Sequence, residues 1–187
     1  MKAVLLSIRP KYCELIAEGK KTVEVRKTWP KLEPPFKCYI YCTMGDSHFD
    51  NGDRFCLYTP PHDTPVQANG YLIGEFVCDV VCAVLVHPDV FAGKPLFYTK
   101  AIEDACLTEA EVEAYSGGKD VAGLHITQLE IYDRPKPLGL LHKPCDNSLY
   151  CESCGMFSTY TGRCGNEELR ISRPPQSWCY VEEMTDE

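Results

Sequence analysis

The chain has 187 residues, 44% of them hydrophobic, and a formal net charge of −8. This length suits one domain with a real core and leaves little room for two, so we predict a single domain over residues 1–187. The hydrophobic fraction excludes a largely disordered chain. No apolar run approaches the roughly 20 residues of a membrane span. The short apolar start lacks the features of a secretory signal, so we predict a cytoplasmic protein with no membrane partner.

The charge is distributed unevenly along the chain. Residues 1–37 hold nine Lys/Arg and four Glu, a balance of +5, while the remainder carries −13. A strongly acidic protein is a poor general binder of phosphate backbones, which argues against long duplex DNA as a partner. A basic segment in an acidic body still permits a small or single-stranded anionic ligand.

The first part of the chain alternates strands with a short helix. Residues 3–8 are apolar and predict a strand. Pro10 then starts a helix that Gly19 ends. Residues 22–26 alternate with period two, which predicts a strand with its two valines on one face and its three polar side chains on the other. Residues 36–43 predict a third strand.

The second part is also rich in strands. Residues 71–86 form the longest apolar segment and predict a long strand bent at Gly74. Thr108 followed by acidic residues predicts a helix over residues 108–115. Further predicted strands are residues 55–58, 121–132 and 177–182. We therefore predict an α+β, β-rich fold, a small β-barrel with two or three short helices.

A polar segment at residues 142–172 is predicted to be a cysteine-rich insert. The chain has twelve cysteines, and without a secretory signal they are expected to be reduced. Four thiolates within about twenty residues suit tetrahedral zinc. An insert with few large apolar residues buries too little surface to fold by itself, so a bound metal would stabilise it. The predicted zinc ligands are Cys145, Cys151, Cys154 and Cys164. Free thiols, or a redox disulfide between the two central cysteines, are the alternatives.

Residues 19–27, with the sequence GKKTVEVRK, resemble the signature of ASCH domains. In that family a helix ends in Gly-x-Lys-Thr and leads into a strand whose alternating polar residues line a cleft. Other stretches of the chain are similar to bacterial and phage members of the group, namely residues 5–10, 73–76, 124–138 and 173–181. The resemblance implies a PUA-like β-barrel with a cleft linked to RNA or nucleotide chemistry. Since the family includes both binding modules and hydrolases, it does not decide the activity.

The candidate cleft lies on the polar face of the predicted strand at residues 22–26. Glu24 and Arg26 share this face with Thr22, and Lys21 stands at its entrance. The resemblance implies that Lys21 matches a catalytic lysine and that Glu75 matches a glutamate on a later strand. Glu24 stands where amidohydrolases of the family have a threonine nucleophile, so that mechanism lacks its hydroxyl group here. The catalytic candidates are therefore Lys21, Glu24 and Glu75.

Two residues near the C-terminus are further candidates. Ser177 near a cleft lysine would suit an activated nucleophile or a ligand contact. Trp178 would suit stacking on a base. The simpler interpretation makes Ser177 a turn residue and Trp178 part of the core.

These patterns leave three functional hypotheses. The preferred one is binding of a nucleotide, a modified nucleoside or an RNA element by Lys21, Thr22, Arg26, Ser177 and Trp178. The second is a hydrolase acting on modified nucleosides or RNA. The third is a protein-interaction module that recruits its partner through the zinc insert. The simplest alternative to any cleft is that the strand's charges pair with each other in solvent.

Overall fold

The computed structural model describes residues 1–44, 54–59, 62–87, 95–145, 155–158 and 163–184. The helices are α1 (Pro10–Ala17), α2 (Thr99–Asp104) and α3 (Glu109–Ser116), with short 3-10 turns at Leu138–Leu140 and Glu167–Leu169. The strands are β1 (Lys2–Ile8), β2 (Val23–Arg26), β3 (Phe36–Cys42), β4 (Cys56–Thr59), β5 (His62–Gln67), β6 (Leu72–Cys78), β7 (Val81–Val86), β8 (Leu96–Phe97), β9 (Val121–His125), β10 (Thr127–Lys136), β11 (Phe157–Ser158), β12 (Arg163–Cys164) and β13 (Trp178–Glu182). This is a mixed, strand-rich α+β fold, as predicted.

Two main sheets organise the described strands. A five-stranded sheet has the order β10-β6-β3-β1-β13, and a four-stranded sheet has the order β2-β9-β7-β8. The pair β1–β3 is parallel, whereas the other pairs in these sheets are antiparallel. Two short hairpins, β4–β5 and β11–β12, stand apart from them.

The predicted closed barrel is not what the described strands form. Residues 71–86 are two strands, β6 in the five-stranded sheet and β7 in the four-stranded one. The change of sheet falls at exposed residues 79–80, not at Gly74. The predicted strand 121–132 is likewise split at Ile126 into β9 and β10, one in each sheet. The chain therefore passes between two separate sheets where a continuous barrel wall was expected.

Gly74 serves a purpose other than a bend. It lies inside β6 opposite Ile131 of β10, and a Cβ atom there would collide with the carbonyl oxygen of Glu130. The register between β6 and β10 shifts at this point. The glycine is needed for close approach of two backbones. β5 is a further difference, since none of the predicted strands covers residues 62–67.

The five-stranded sheet has buried side chains on both faces. Alternate residues of β1, such as Val4 and Leu6, enter a core shared with α1 and with Leu124 of the other sheet. Leu5 points to the opposite face and packs in a second cluster with Tyr39. A third cluster lies between β2, β7 and the two helices α2 and α3. β2 therefore lies between the five-stranded sheet on one side and helices α2 and α3 on the other.

Two helices end in the same hydrogen-bonded motif beside β2. At the end of α1, Gly19 has a φ of 70°, its N–H donates to Ile16 O, and the N–H of Lys20 donates to Leu15 O. This is the Schellman arrangement, and it confirms the predicted helix stop. At the end of α2, Cys106 takes the glycine position with a φ of 54°. Such a conformation is strained for a residue with a side chain.

The third helix, α3, begins as predicted. Thr108 and Glu111 form a reciprocal capping box, in which each side chain bonds the other residue's backbone N–H. No helix of the described residues is long and apolar enough to cross a membrane.

Candidate functional site

The polar face of β2 is turned towards the five-stranded sheet. Val23 and Val25 pack in the cluster under α2 and α3. Glu24 and Arg26 point to the opposite side, as the period-two pattern predicted, and both are buried. Charged side chains are rarely buried unless they are paired. The partners of these two residues therefore define the site.

Lys21 is the most deeply buried of the charged residues, with 2% of its surface exposed. Its Nζ donates a hydrogen bond of 2.9 Å to the carbonyl oxygen of Ala105, the C-terminal cap of α2. The same Nζ lies 3.4 Å from Glu24 Oε2. A carbonyl at a helix end lacks an intrahelical donor, and a lysine satisfies it favourably. The α2 end thus holds Lys21 against β2.

Arg26 connects the two sheets. One terminal nitrogen, Nη1, contacts Glu24 Oε1 and donates to Val25 O at 3.0 Å. The other, Nη2, donates to Ser7 O at the end of β1, also at 3.0 Å. Ser7 itself is held by a 2.6 Å bond from its Oγ to Pro175 O. The guanidinium therefore joins β2 of one sheet to β1 of the other.

The buried cluster of Lys21, Glu24 and Arg26 is incompletely paired. Glu24 Oε2 and Arg26 Nε are buried and have no hydrogen-bond partner among the described residues. The 3.4 Å contact of Glu24 Oε2 with Lys21 is an ion pair, but it lacks hydrogen-bond geometry. An unsatisfied buried polar atom costs about 1–3 kcal/mol. The cluster also holds two cations and one carboxylate, so it carries one uncompensated positive charge.

A pocket of about 860 Å³ opens over this cluster. Its floor includes Lys21, Glu24 and Arg26, and its walls come from β1, α1, α3 and the segment before β13. The other lining residues are Ser7, Ile8, Arg9, Tyr12, Val25, Lys27, Thr28, Thr43, Leu107, Glu111, Tyr115, Ser116, Gly117, Lys119, Gln176 and Ser177. This volume falls in the usual range for small-molecule sites.

Two tyrosines stand in the pocket beside lysines. Lys21 Nζ lies 5.1 Å from the centre of the Tyr12 ring, and Lys27 Nζ lies 4.7 Å from that of Tyr115. These are cation–π distances. Burial raises the pKa of Tyr12, and the carboxylates of Glu111 and Glu24 raise it further. The Tyr12 hydroxyl is thus kept as a neutral donor.

The other sequence-predicted residues fall in different places. Ser177 lines the pocket, whereas Thr22 and Trp178 do not. The backbone of Thr22 bonds Asp104 O and Ile126 N. Trp178 Nε1 donates to Thr28 O at 2.8 Å, and its ring packs edge-on against Tyr180 at 5.2 Å. Trp178 thus supports the loop after β2 and offers no stacking surface in the pocket.

Glu75 does not join the cluster. It lies on β6 of the five-stranded sheet, where its Oε1 accepts from Lys37 Nζ at 2.5 Å and its Oε2 accepts from Tyr132 Oη at 2.6 Å. Burial raises the pKa of Tyr132, and the adjoining Glu75 carboxylate raises it further. Glu75 does not line the pocket. Its expected place near Lys21 came from the family resemblance, which matched it to a glutamate on a later strand.

Several pocket residues were not predicted from the sequence. Arg9 and Tyr12 flank Pro10 at the start of α1, and the spacing of Tyr12 within that helix is a signal that was available. Tyr115 and Lys119 come from the α3 region, about 90 residues after β2. Their approach depends on packing of α2 and α3 on the four-stranded sheet, for which the local pattern gives no signal.

The predicted zinc ligands lie largely outside the described residues. This applies to Cys151 and Cys154, and to the side chain of Cys164. Cys145 is described, and its N–H donates to Glu182 Oε1 at 3.2 Å, which ties this residue to the end of β13. Within the described ranges no group of three or more His, Cys, Asp or Glu side chains is arranged to hold a metal ion.

The sequence matches one known family. The family model of the ASCH domain matches residues 6–80, which span β1 to β6, including β2 and the lysine at its entrance. This confirms the resemblance predicted from the sequence. No curated protein sequence matches the chain.

Solved structures of ASCH proteins are similar in outline. ASCH from Zymomonas mobilis is 16% identical with a TM-score of 0.48, and the alignment covers 97% of this chain and 88% of that one. A mutant form of the same protein gives 17% identity, a TM-score of 0.48 and coverage of 98% and 93%.

Proposed function

We propose that this chain, whose residues 6–80 match the ASCH domain, binds a nucleotide or an RNA element in the pocket above Lys21, Glu24 and Arg26. ASCH is a PUA-like domain for which RNA binding has been suggested. The proposal extends that general role to a definite pocket and to the residues that form its floor.

The observation that carries the proposal is the incomplete pairing of the buried cluster. Two cations and one carboxylate lie beneath the pocket, and one acceptor and one donor are without hydrogen-bond partners among the described residues. Most buried polar atoms in proteins are satisfied, and exceptions are common at functional sites. A ligand that brings negative charge, together with donor and acceptor groups, would complete this arrangement. Nucleotides have all three.

The tyrosines and the size of the pocket support the same class of ligand. Tyr12 and Tyr115 offer aromatic surface for contact with a base. The acidic remainder of the chain disfavours long RNA, since a polyanion would also meet the negative surface outside the pocket. The expected ligand is therefore a mononucleotide, a modified nucleoside or a short single-stranded segment.

Binding assays on Lys21 test the proposal. Modified nucleosides, mononucleotides and short single-stranded RNAs are titrated against the wild type, Lys21→Ala and the control Lys20→Ala. Lys20 is the exposed neighbour of Lys21 and pairs with Glu18. We expect Lys21→Ala to weaken binding about tenfold or more, the loss of one charge-assisted hydrogen bond, and Lys20→Ala to bind normally. Equal binding by all three proteins across the panel would exclude the pocket.

A hydrolase acting on the same ligands is the second candidate. The observation in its favour is that Ser177 and Lys21 line one pocket, which allows a lysine-assisted serine nucleophile. Glu75 lies elsewhere and is not available to this mechanism. Product formation from modified nucleosides or RNA in the wild type, lost in Ser177→Ala with binding retained, would establish catalysis. Binding without turnover would leave the binding function alone.

Zinc in the cysteine-rich insert remains a proposal from the sequence, as does the cytoplasmic location. The four-cysteine spacing is the observation that supports zinc. Elemental analysis of reduced protein should give about one zinc per chain. A metal-free protein of full stability would exclude the zinc site, and with it an interaction module built on zinc.

A further inference from the structure

The charge of the pocket is opposite to that of the protein as a whole. The chain has 19 basic and 27 acidic residues. The pocket, by contrast, is lined by five basic side chains, Arg9, Lys21, Arg26, Lys27 and Lys119, and by two acidic ones, Glu24 and Glu111. A concave site lined by one sign of charge concentrates the field and attracts ions of the other sign. The pocket is therefore a local anion-attracting region on an acidic protein.

Both acidic residues of the pocket are already engaged. Glu24 contacts Arg26 and Lys21 on the floor. The Oε2 of Glu111 accepts from the N–H of Thr108 at 2.8 Å and from its hydroxyl at 2.9 Å, in the capping box of α3. These bonds lower the pKa of Glu111, so it stays ionised and committed to the helix start. Neither carboxylate is left to neutralise further cations.

Three cations at the mouth of the pocket consequently remain uncompensated. Arg9, Lys27 and Lys119 are exposed, in contrast to Lys21 and Arg26 on the floor. Among the residues that the structure describes, none of these three forms an ion pair with a carboxylate. Lys27 instead lies over the ring of Tyr115. The pocket thus has a buried floor with one excess positive charge and an exposed mouth with three.

We propose that Arg9, Lys27 and Lys119 form a phosphate subsite at the mouth of the pocket, while the base of the same ligand offers the donor and acceptor atoms of its polar edge to the floor. This deepens the proposed function and rests on it, since it specifies a phosphorylated nucleoside as the ligand class. Arg and Lys side chains are the usual phosphate donors in proteins, through charge-assisted hydrogen bonds. A phosphate monoester at the end of a mononucleotide and a diester within a short RNA strand share this chemistry.

The test compares ligands that differ only in phosphate. The four ribonucleosides, their 5′-monophosphates and the matching dinucleoside monophosphates are titrated calorimetrically against the full chain at low and high salt. We expect a 5′-monophosphate to bind about tenfold or more tightly than its nucleoside at low salt, with a smaller advantage at high salt, because exposed charges are screened. A dinucleoside monophosphate that binds as tightly identifies a diester as the source. Weaker binding identifies a terminal phosphate.

Variants of the mouth show whether these residues supply the advantage. Arg9→Gln, Lys27→Gln, Lys119→Gln and the triple variant are compared with Lys2→Gln, an exposed lysine outside the pocket. The triple variant should lose the preference for the monophosphate and keep its affinity for the nucleoside, and Lys2→Gln should keep both. Equal affinity of the wild type for nucleoside and monophosphate, or an unchanged preference in the triple variant, would overturn the subsite but not the pocket. Absence of binding by every compound would overturn both.

Discussion

Glu24 and Glu75 both lie beside basic side chains, but their carboxylate oxygens differ in how completely they are hydrogen-bonded. Each lies on a strand of a main sheet, and each contacts a lysine. Both oxygens of Glu75 have donors, Lys37 and Tyr132, and Lys37 remains partly exposed. Glu24 is buried, is shared between two cations, and has one oxygen without a hydrogen bond among the described residues. The first arrangement is complete within the protein, whereas the second leaves Glu24 Oε2 and Arg26 Nε without hydrogen-bond partners among the described residues.

The difference shows what separates a structural ion pair from a binding site. A satisfied pair stabilises its strand whether or not a ligand is present. An unsatisfied buried cluster destabilises the free protein, and its presence beside a pocket is the reason for proposing a binding site there. Both clusters combine acidic and basic side chains that lie on strands. The sequence pattern alone therefore does not distinguish the two clusters.

The largest expected effect comes from neutralising the two carboxylates in turn. Glu24→Gln leaves Lys21 and Arg26 buried without a counter-charge, and we expect it to lower the free energy of unfolding by about 3–5 kcal/mol. Glu75→Gln keeps a hydrogen-bonding group beside a partly exposed lysine, and the expected loss is about 1 kcal/mol. Urea unfolding of both variants measures the contrast. Similar losses in the two proteins would mean that the clusters are equivalent.

Burial changes the expectation for Lys21 as well. If its charge were paired in solvent on the strand face, replacing Lys21 would cause only a small loss of stability. At 2% exposure, its removal also leaves Ala105 O and Glu24 without their partner. Ligand titrations on Lys21→Ala should therefore be made well below its own melting temperature.

An intermediate effect is expected from alkaline pH on the Glu75 side. Burial raises the pKa of Tyr39, which lies beside Lys37, from 10.0 to about 12. The folded-state pKa exceeds the unfolded one, so the contribution of this group is fully present below pH 10.0 and is lost as the pH rises towards 12. Tyr39→Phe should flatten the fall in stability across that window. Tyr71→Phe, at an exposed tyrosine, is the control, and an equally steep fall in both variants would contradict the prediction.

The smallest expected effect concerns the helix end that holds Lys21. Cys106 adopts the left-handed conformation in the Schellman motif of α2, next to Ala105. Cys106→Gly removes the backbone strain and should raise the free energy of unfolding by about 0.5–1 kcal/mol. The loss of the 3.4 Å contact from its Sγ to Lys20 O offsets only part of this gain. A clear loss of stability would show that this thiol contact outweighs the strain.

Local patterns predicted the parts of the fold that local forces decide. The alternation at residues 22–26 gave the two faces of β2, and Gly19 and Thr108 marked a helix end and a helix start correctly. The predicted barrel was wrong because a run of apolar residues does not show where a strand changes sheets, as happens at residues 79–80.

Only the residues on the floor of the candidate site could be predicted from the sequence. Lys21, Glu24 and Arg26 are neighbours in sequence, and the strand pattern brings them together. Leu107, Tyr115 and Lys119 reach the pocket through the packing of α2 and α3, and Ser177 through the pairing of β13 with β1. Such contacts are decided by tertiary structure, and no spacing in a single sequence encodes them.

The bond from Arg26 to Ser7 has a consequence for how binding specificity can change. Because this guanidinium fastens one sheet to the other, a substitution that altered the pocket floor would also weaken the seam between the sheets. The mouth residues Arg9, Lys27 and Lys119 carry no such duty among the described contacts. Substitutions at the mouth, whether they arise in evolution or by protein engineering, can therefore change the ligand that the proposed site prefers without weakening the contact between the two sheets.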